Sequence, residues 1–365
     1  MARARLMNKP EDYQKLKINQ GPVELWEDGM RDDFASGKVE WWYFDAILEV
    51  GSKIAACYST EIQPFMNQEG LHPSLTFHIT TPEGKQLSRK IMRFKKEEVK
   101  LSKEKCDVHF GSHFIQGNLQ EYHIKAEPVK GLGFDVKLTS TTTPWRGETG
   151  YLGFEERDQK YFTWLCVVPS GKVEGTVTID GQERRITGTG YHDHQWGNTM
   201  QYEFLNHWFW GRHKTQNYNI LVFDFIMNEH YEYTRIPLVF IQDEKGKVIF
   251  ESTDNVKCTV EKEFYQEACQ TNFPEVIHYG FEKDGKVVDY VVRVKQELDG
   301  RNVYKQIPFF MRSIFQGTKP KYGRYLAEGT LSLTENGVQK FCETSDFIYE
   351  FAYVGDSYKE HMERA

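Results

Sequence analysis

Glu174-Gly175-Thr176-Val177-Thr178-Ile179-Asp180-Gly181-Gln182-Glu183-Arg184-Arg185-Ile186-Thr187 is the stretch that decides the fold. β-Branched residues flank Asp180-Gly181 on both sides, and Asp-Gly supplies the two positive φ angles of a type I′ turn, so the segment reads as a β-hairpin. It has an echo in Glu328-Gly329-Thr330-Leu331-Ser332-Leu333, followed by Asn336-Gly337 as the corresponding turn. The starts of the two halves are also alike, Glu40-Trp41-Trp42-Tyr43 beside His207-Trp208-Phe209-Trp210. Chance explains either match alone, but paired ends point to two copies of one β unit meeting near residue 200. A chain of 365 residues is too long for one ordinary core and suits two. We therefore expect an N-terminal extension over 1–20, one domain over 21–200 and a second over 201–365.

Period-2 alternation continues outward from the hairpin. Val39 to Leu48 reads as a strand stopped by Gly51-Ser52, with Ile54 to Thr60 as its partner. Leu75 to Thr80 precedes a turn at Pro82-Glu83-Gly84, and short strands follow at Phe114-Ile115, Tyr122 to Ile124 and Phe134 to Leu138. Glu261 to Cys269 is the one weak helix candidate. Many short strands with regular turns predict an all-β fold, two barrel or sandwich domains with few short helices.

Composition narrows the function classes. Aromatic residues make up 15% of the chain, enough to fill cores and still line a cavity with rings. The net charge of -7 and a pI of about 6.0 have the wrong sign for a phosphate backbone, so no nucleic-acid partner is expected. Lys95, Lys96, Lys100, Lys103 and Lys105 are interrupted by Glu97, Glu98 and Glu104, a solvated mixed-charge face. The six cysteines are scattered without close ligand spacing, which reads as structural thiols in a reducing compartment. The basic, polar N-terminus lacks the apolar core of a signal peptide, and no stretch reaches the roughly 18 apolar residues of a membrane span. A cytoplasmic location without a transmembrane segment is the expectation; the oligomeric state is not encoded in any pattern.

Gly188-Thr189-Gly190-Tyr191-His192-Asp193-His194-Gln195-Trp196-Gly197-Asn198 is the most unusual segment. It gathers two imidazoles, a carboxylate, an amide and two polar aromatics between glycines that let a backbone bend or a ligand approach. Two chemistries fit it. His192-x-His194 has a common metal-ligand spacing, although no other histidine stands at a diagnostic distance. Alternatively Asp193 is an acid, with polar neighbours placing water or substrate. In a regular strand Tyr191, Asp193 and Gln195 share one face and His192, His194 and Trp196 the other, so the two chemistries need opposite faces unless a bulge beside Gly190 or Gly197 intervenes.

Glu40-Trp41-Trp42-Tyr43-Phe44 and Tyr191-His192-Asp193-His194-Gln195-Trp196-Gly197 together resemble the two signatures of the carotenoid 1,2-hydratase (hydroxyneurosporene synthase) family, which lie at a similar separation. The likeness extends over most of the chain, from about residue 20 to the end. The sequence is similar also to the family's wider relatives, the attH-type proteins, prenyl-flavonoid hydratases and fungal Diels–Alderases. The resemblance implies two lipocalin-like domains with an apolar small-molecule ligand between or within them; the leading expectation is chemistry with no cofactor and no metal, with metal binding by His192 and His194 as the alternative. The resemblance further implies that Asp193 protonates an alkene, and it departs from the family's Asn at Gln195, one methylene longer where water must be placed.

Physical chemistry sets conditions on that role. Protonating a trisubstituted alkene gives a tertiary carbocation that water captures, so the acid must hold its proton near neutrality, well above the usual carboxylate range. Burial among aromatic rings does this. The cation then needs π faces, each contributing about 0.5–2 kcal/mol when desolvated. Trp41, Trp42, Tyr43, Trp196, Trp208 and Trp210 are the candidate suppliers, and Tyr191, His192 and His194 complete the candidate catalytic group. A charged His192 or His194 nearby would oppose the acid, so both are expected to be neutral or to point away. Glu40 is expected either to orient the substrate or to pair with an arginine such as Arg184 or Arg312, the pairing being favoured. Alternation places Asp224 beside Val222 and Ile226, where a carboxylate either has a partner or stays neutral; it is a second candidate acid or an outward residue of a two-sided strand, the latter favoured. Arg301, Arg312 and Arg324 read as surface or interdomain residues. The leading expectation is a hydratase or isomerase acting on an isoprenoid, prenylated or polyketide substrate. A cyclase or pericyclase that shapes a polyene, and a lipocalin-like carrier of a hydrophobic ligand, are the alternatives.

Overall fold

The computed structural model of the protein describes residues 3–31, 37–60, 71–92, 94–306, 320–355 and 357–363. The chain divides into two compact units, Leu6–Gly153 with Asp158–Thr199, and Met1–Arg5 with Phe154–Arg157 and Met200–Ala365. Each is built on a curled antiparallel sheet, so the all-β class and the lipocalin-like architecture are as the sequence indicates. In the first unit the hydrogen-bonded order is Gln86–Ile91, Ser74–Thr80, Lys53–Ser59, Val39–Leu48, Gln182–Gly197, Lys160–Ile179, Leu132–Ser140, Glu121–Val129, His113–Gly117, Asp107–Phe110 and Val99–Leu101. In the second it is Val248–Ser252, Arg235–Asp243, Tyr218–Met227, Leu205–Lys214, Val338–Tyr353, Lys321–Glu335, Lys286–Asn302, Thr271–Lys283 and Val256–Gln266.

The two orders repeat one plan. The opening strand, Val39–Leu48 or Leu205–Lys214, pairs on one side with the strand that follows it and on the other with the last strand of its unit. That last strand is one arm of the hairpin read from the sequence. Asp180 and Gly181 have φ of 52° and 77°, and Asn336 and Gly337 have 51° and 78°, so both hairpins turn the same way. Positive φ at both positions matches the right-handed twist of the flanking strands, which is why Asp-Gly and Asn-Gly occur there.

Alternation turns one face of each sheet inward. Trp42, Phe44, Phe77, Phe110, Ile124 and Val136 belong to the buried cluster of the first unit, and Phe209, Val222, Phe273, Tyr279, Tyr325 and Phe351 to that of the second. These side chains fill the curled interiors, as in other small barrels. Truncating a ring such as Phe77 to alanine would cost about 3–5 kcal/mol.

Helices are short. Pro10–Leu16 begins with proline, which needs no N–H there, and packs Tyr13 so that its hydroxyl donates to Glu148 at 2.7 Å. The helix expected over 261–269 is absent. Residues 256–266 form a strand paired with Thr271–Lys283, and Val256, Cys258 and Val260 alternate inward ahead of it. The local run of Glu, Lys and Gln reflects a solvent-facing strand surface, where ladder pairing overrides helix propensity. Among the described residues no helix is long and apolar enough to cross a membrane. All six cysteines are free thiols.

Candidate active site

Both unusual motifs lie on neighbouring strands. Val39–Leu48 and Gln182–Gly197 pair in unbroken register from Val39 opposite Gly197 to Leu48 opposite Gly188. The irregularity sits on the other neighbour, where Lys160–Ile179 shifts register between Cys166 and Gly171. Gly190 is required at this crowded point, because a Cβ there would lie 2.5 Å from Val173 and 3.1 Å from the Asp45 carbonyl. Strand 182–197 therefore keeps strict alternation, and the motif residues divide between two faces.

Asp193 lies on the face turned away from the core. Only 2% of it is exposed. Its Oδ2 accepts hydrogen bonds from the Tyr191 hydroxyl at 2.7 Å and the Trp164 indole N–H at 3.1 Å, and its Oδ1 accepts one from the Gln195 amide at 3.1 Å. Burial pushes its pKa up to about 6, against the opposing pull of those three donors and, last, of His192. The same face carries Tyr43, directly across the ladder from Asp193, and Asp45, directly across from Tyr191. Asp45 is buried, and the Tyr43 hydroxyl donates to it at 3.3 Å. Trp41 adjoins this group, its ring 6.0 Å from that of Phe162.

His192 and His194 occupy the opposite, inner face and are not brought together with Asp193. His192 donates through Nδ1 to the Tyr43 carbonyl at 2.8 Å and sets Nε2 3.3 Å from Asp28 Oδ2. Tyr122 donates its hydroxyl to the same Oδ2 at 2.5 Å. His194 lies with Nε2 2.7 Å from Glu40 Oε1 and its ring stacked on Trp42 at 4.6 Å. Trp196 packs on the other contact of that ring, at 4.5 Å. Burial lowers the His194 pKa to about 3 and keeps it neutral; burial also pulls His192 down, but Asp28, the Tyr43 carbonyl and Asp193 together outweigh it and the net shift is upward. The Asp28 carboxylate, the Cys106 thiol and His192 hold donor atoms within 4.8 Å of one another, all buried, and are the residues that could hold a metal ion among those described.

Other expectations are corrected by the structure. Glu40 is paired with His194 and with the backbone N–H of Arg31 at 2.7 Å. Arg184 is exposed beside the hairpin turn, and Arg312 lies outside the described residues. Asp224 is neither an acid in waiting nor an outward residue. It is fully buried, held by Arg235 through contacts of 2.9 and 2.6 Å, and accepts the Tyr279 hydroxyl at 3.1 Å. Trp42 and Trp196 face the first core rather than Asp193. Trp208 and Trp210 belong to the second unit, on the face opposite Phe209 of its core. The expected apolar hollow is not the interior of the first sheet, which core side chains fill. A groove of about 1150 Å³ does open on the first unit, but Lys105, His123, Asp135, Lys137, Glu174 and Arg185 give it a mixed-charge lining, and Asp193 is not part of it.

Sequence reasoning missed Trp164 and Asp45. Trp164 left no local signal, since it meets Asp193 through strand pairing 29 residues away. Asp45 did leave one: Tyr43-Phe44-Asp45 repeats the Tyr-x-Asp pattern of Tyr191-His192-Asp193.

A family profile described as AttH-like matches residues 27–310. This chain belongs to the AttH-like family. Among curated proteins it is similar to a hydroxyneurosporene dehydrogenase of Chlorobaculum tepidum, 24% identical over 208 residues that cover 49% of this chain and 54% of that protein. The chain thus matches about half the length of that relative. Its fold is similar to that of an AttH protein of Nitrosomonas europaea, with TM-score 0.62, 15% identity, and 92% and 98% of the two chains covered. It is similar also to CghA, with TM-score 0.63, 12% identity, and 93% and 94% covered. Kievitone hydratase of Nectria haematococca has TM-score 0.55 and 16% identity, with 91% and 93% covered. At these identities the solved structures establish the shared AttH-like fold.

Proposed function

We propose that this AttH-like protein adds water across a carbon–carbon double bond of an apolar isoprenoid, prenylated or polyketide substrate, with Asp193 as proton donor. The observation that carries this reading is a nearly dry carboxyl on a sheet face, raised to about 6 and set among Tyr191, Trp164 and Gln195. Such a group retains a proton close to neutrality and is a strong enough acid to give it up. The names of two relatives, a hydratase and a hydroxyneurosporene dehydrogenase, support the substrate class.

The two oxygens of Asp193 have different tasks in this reading. Oδ2, with two donors, is suited to hold the negative charge that remains after transfer. Oδ1, with one amide contact, is the oxygen that carries the proton to the alkene. Among the described residues the buried Gln195 Oε1 atom has no hydrogen-bond partner, and a rotation of the amide would offer it to a protonated Oδ1. Proton transfer leaves a tertiary cation, which the π faces of Trp164, Trp41 and Tyr43 stabilise by about 0.5–2 kcal/mol each. Tyr191 is the positioning donor; His192 and His194 support the strand from its inner face.

Asp193→Asn tests the reading with two alkene probes, a dimethylallyl-substituted phenol and an acyclic polyene ending in an isopropylidene group. Hydration should fall by at least ~100-fold. Unchanged hydration would overturn the assignment. Conversion of the polyene to a ring, little affected by the substitution, would favour a cyclase. Binding without turnover would favour a carrier.

A further inference from the structure

The pairing of strands 39–48 and 182–197 sets two Tyr-x-Asp units against each other. Tyr43 stands opposite Asp193, and Tyr191 stands opposite Asp45. In each unit the tyrosine hydroxyl donates to the aspartate two residues further along its own strand, at 3.3 Å for Tyr43 and Asp45 and at 2.7 Å for Tyr191 and Asp193. The two tyrosine rings lie 6.3 Å apart. The arrangement has a local two-fold relation, and all four side chains share the face turned away from the core. Asp45 and Asp193 are both almost fully buried.

We propose that Asp45 is the second catalytic carboxylate of this site, the base that takes the proton from the attacking water. The proposal rests on the reading of Asp193 as proton donor and adds the other half of the reaction. On an antiparallel ladder, diagonal same-face neighbours are about 7–8 Å apart at the backbone. Two carboxyl groups at roughly 6.5–9.5 Å leave room for one water between a general acid and a general base, as in inverting glycoside hydrolysis. Asp45 and Asp193 are such same-face diagonal neighbours, a backbone spacing compatible with one water held between their carboxyl groups.

The step balances without any further reagent. The π electrons of the alkene form a C–H bond with the Asp193 proton, and the O–H bond of Asp193 breaks toward oxygen. Water forms the C–O bond to the tertiary cation with its lone pair. Its own O–H bond then breaks toward oxygen, and that proton passes to Asp45. One proton has moved from Asp193 to Asp45, and exchange with solvent water returns the site to its starting state. Asp193 is held at both oxygens by Tyr191, Trp164 and Gln195, and Tyr43, which donates to Asp45, is half-buried.

The test separates formation of the cation from its capture, using the same two probes in heavy water with the full-length chain. Asp45→Asn should cut hydration by at least ~100-fold. Its recovered alkene should nevertheless carry deuterium, because Asp193 still protonates reversibly. Asp193→Asn should show neither hydration nor exchange. Formate added to Asp45→Ala should restore part of the hydration, which a structural role would not allow. Hydration by Asp45→Asn at the wild-type rate, while Asp193→Asn is inactive, would overturn the role of Asp45 and leave that of Asp193 intact. Loss of both exchange and hydration in Asp45→Asn would also overturn it, as would loss of its near-UV circular dichroism, since either assigns the carboxylate to the fold. Full activity of Asp193→Asn, or turnover of neither probe by the wild-type chain, would remove the underlying reading and this proposal with it.

Discussion

His194 Nε2 lies 2.7 Å from Glu40 Oε1, and this contact joins residues 154 positions apart in the chain. It ties the opening strand of the first unit to its last strand on the inner face, directly behind the carboxylates of the outer face. The chemistry proposed for Asp193 depends on this support, because the strand that carries Asp193 is held in place from behind by His192 and His194.

Glu40 is therefore a structural residue with a measurable stability contribution. Glu40→Ala removes the acceptor of both His194 and the Arg31 backbone N–H inside a dry core. Urea unfolding should show a loss of about 2–5 kcal/mol, since two buried donors lose their acceptor at about 1–3 kcal/mol each. Glu40→Gln keeps an acceptor oxygen and should lose only about 1–2 kcal/mol.

The pH dependence of activity follows from the protonated form of Asp193. With its pKa pushed up to about 6, kcat/KM should fall about tenfold per unit as pH rises above that value. The Tyr191 hydroxyl favours the ionised carboxylate, so Tyr191→Phe should move this limb to higher pH. A pH–rate profile of the two proteins on one probe checks both statements.

Acid should destabilise the fold through its buried neutral histidines. Burial lowers His194 to about 3 and His213 to about 4, from an ordinary value of 6.5. Folded pKa values below the unfolded one mean that the unfolded chain binds more protons in this window. Their stabilising contribution is complete above about 6.5 and declines as pH falls toward 4 and 3. His192, shifted upward, acts in the opposite sense, contributing most at low pH. Thermal melts between neutrality and pH 4 should show a falling midpoint, and His213→Gln should fall less steeply than the wild type.

Asp224 tests the second unit separately. Asp224→Asn leaves Arg235 without its carboxylate in a buried position and should cost about 3–5 kcal/mol. Its effect on turnover, measured below its own melting transition, should be small, since Asp224 and Arg235 belong to the second unit and Asp193 to the first.

The strands, the two Asn-Gly and Asp-Gly hairpins and the repeated plan were legible because they are local: period-2 alternation and turn chemistry are written in consecutive residues. The division of Tyr191, Asp193 and Gln195 from His192, His194 and Trp196 followed from the same period. What could not be read was which face looks into the core, and this is why Trp42 and Trp196 stood among the candidates for cation stabilisation although they pack on His194. Register between strands was equally hidden. Trp164 reaches Asp193, and Asp28 reaches His192, only through pairing across long stretches of chain. Asp224 misled for a related reason. A carboxylate within an apolar strand implies a partner, but Arg235 comes from the next strand in the sheet. The run Glu261 to Gln266 misled by composition, since a solvent-facing strand surface and a helix surface use the same residues.

Direct titration of the Asp193 carboxyl is the measurement that bears most on the proposed chemistry. Carbon-13 spectra of aspartate-labelled protein, with Asp193→Asn to identify the signal, report its protonation at each pH. A proton-donor role for Asp193 requires a midpoint of about 6, with the carboxyl protonated below it. A midpoint at or below the ordinary 3.8 would mean that Tyr191, Trp164 and Gln195 hold it ionised, and would contradict its role as a proton donor.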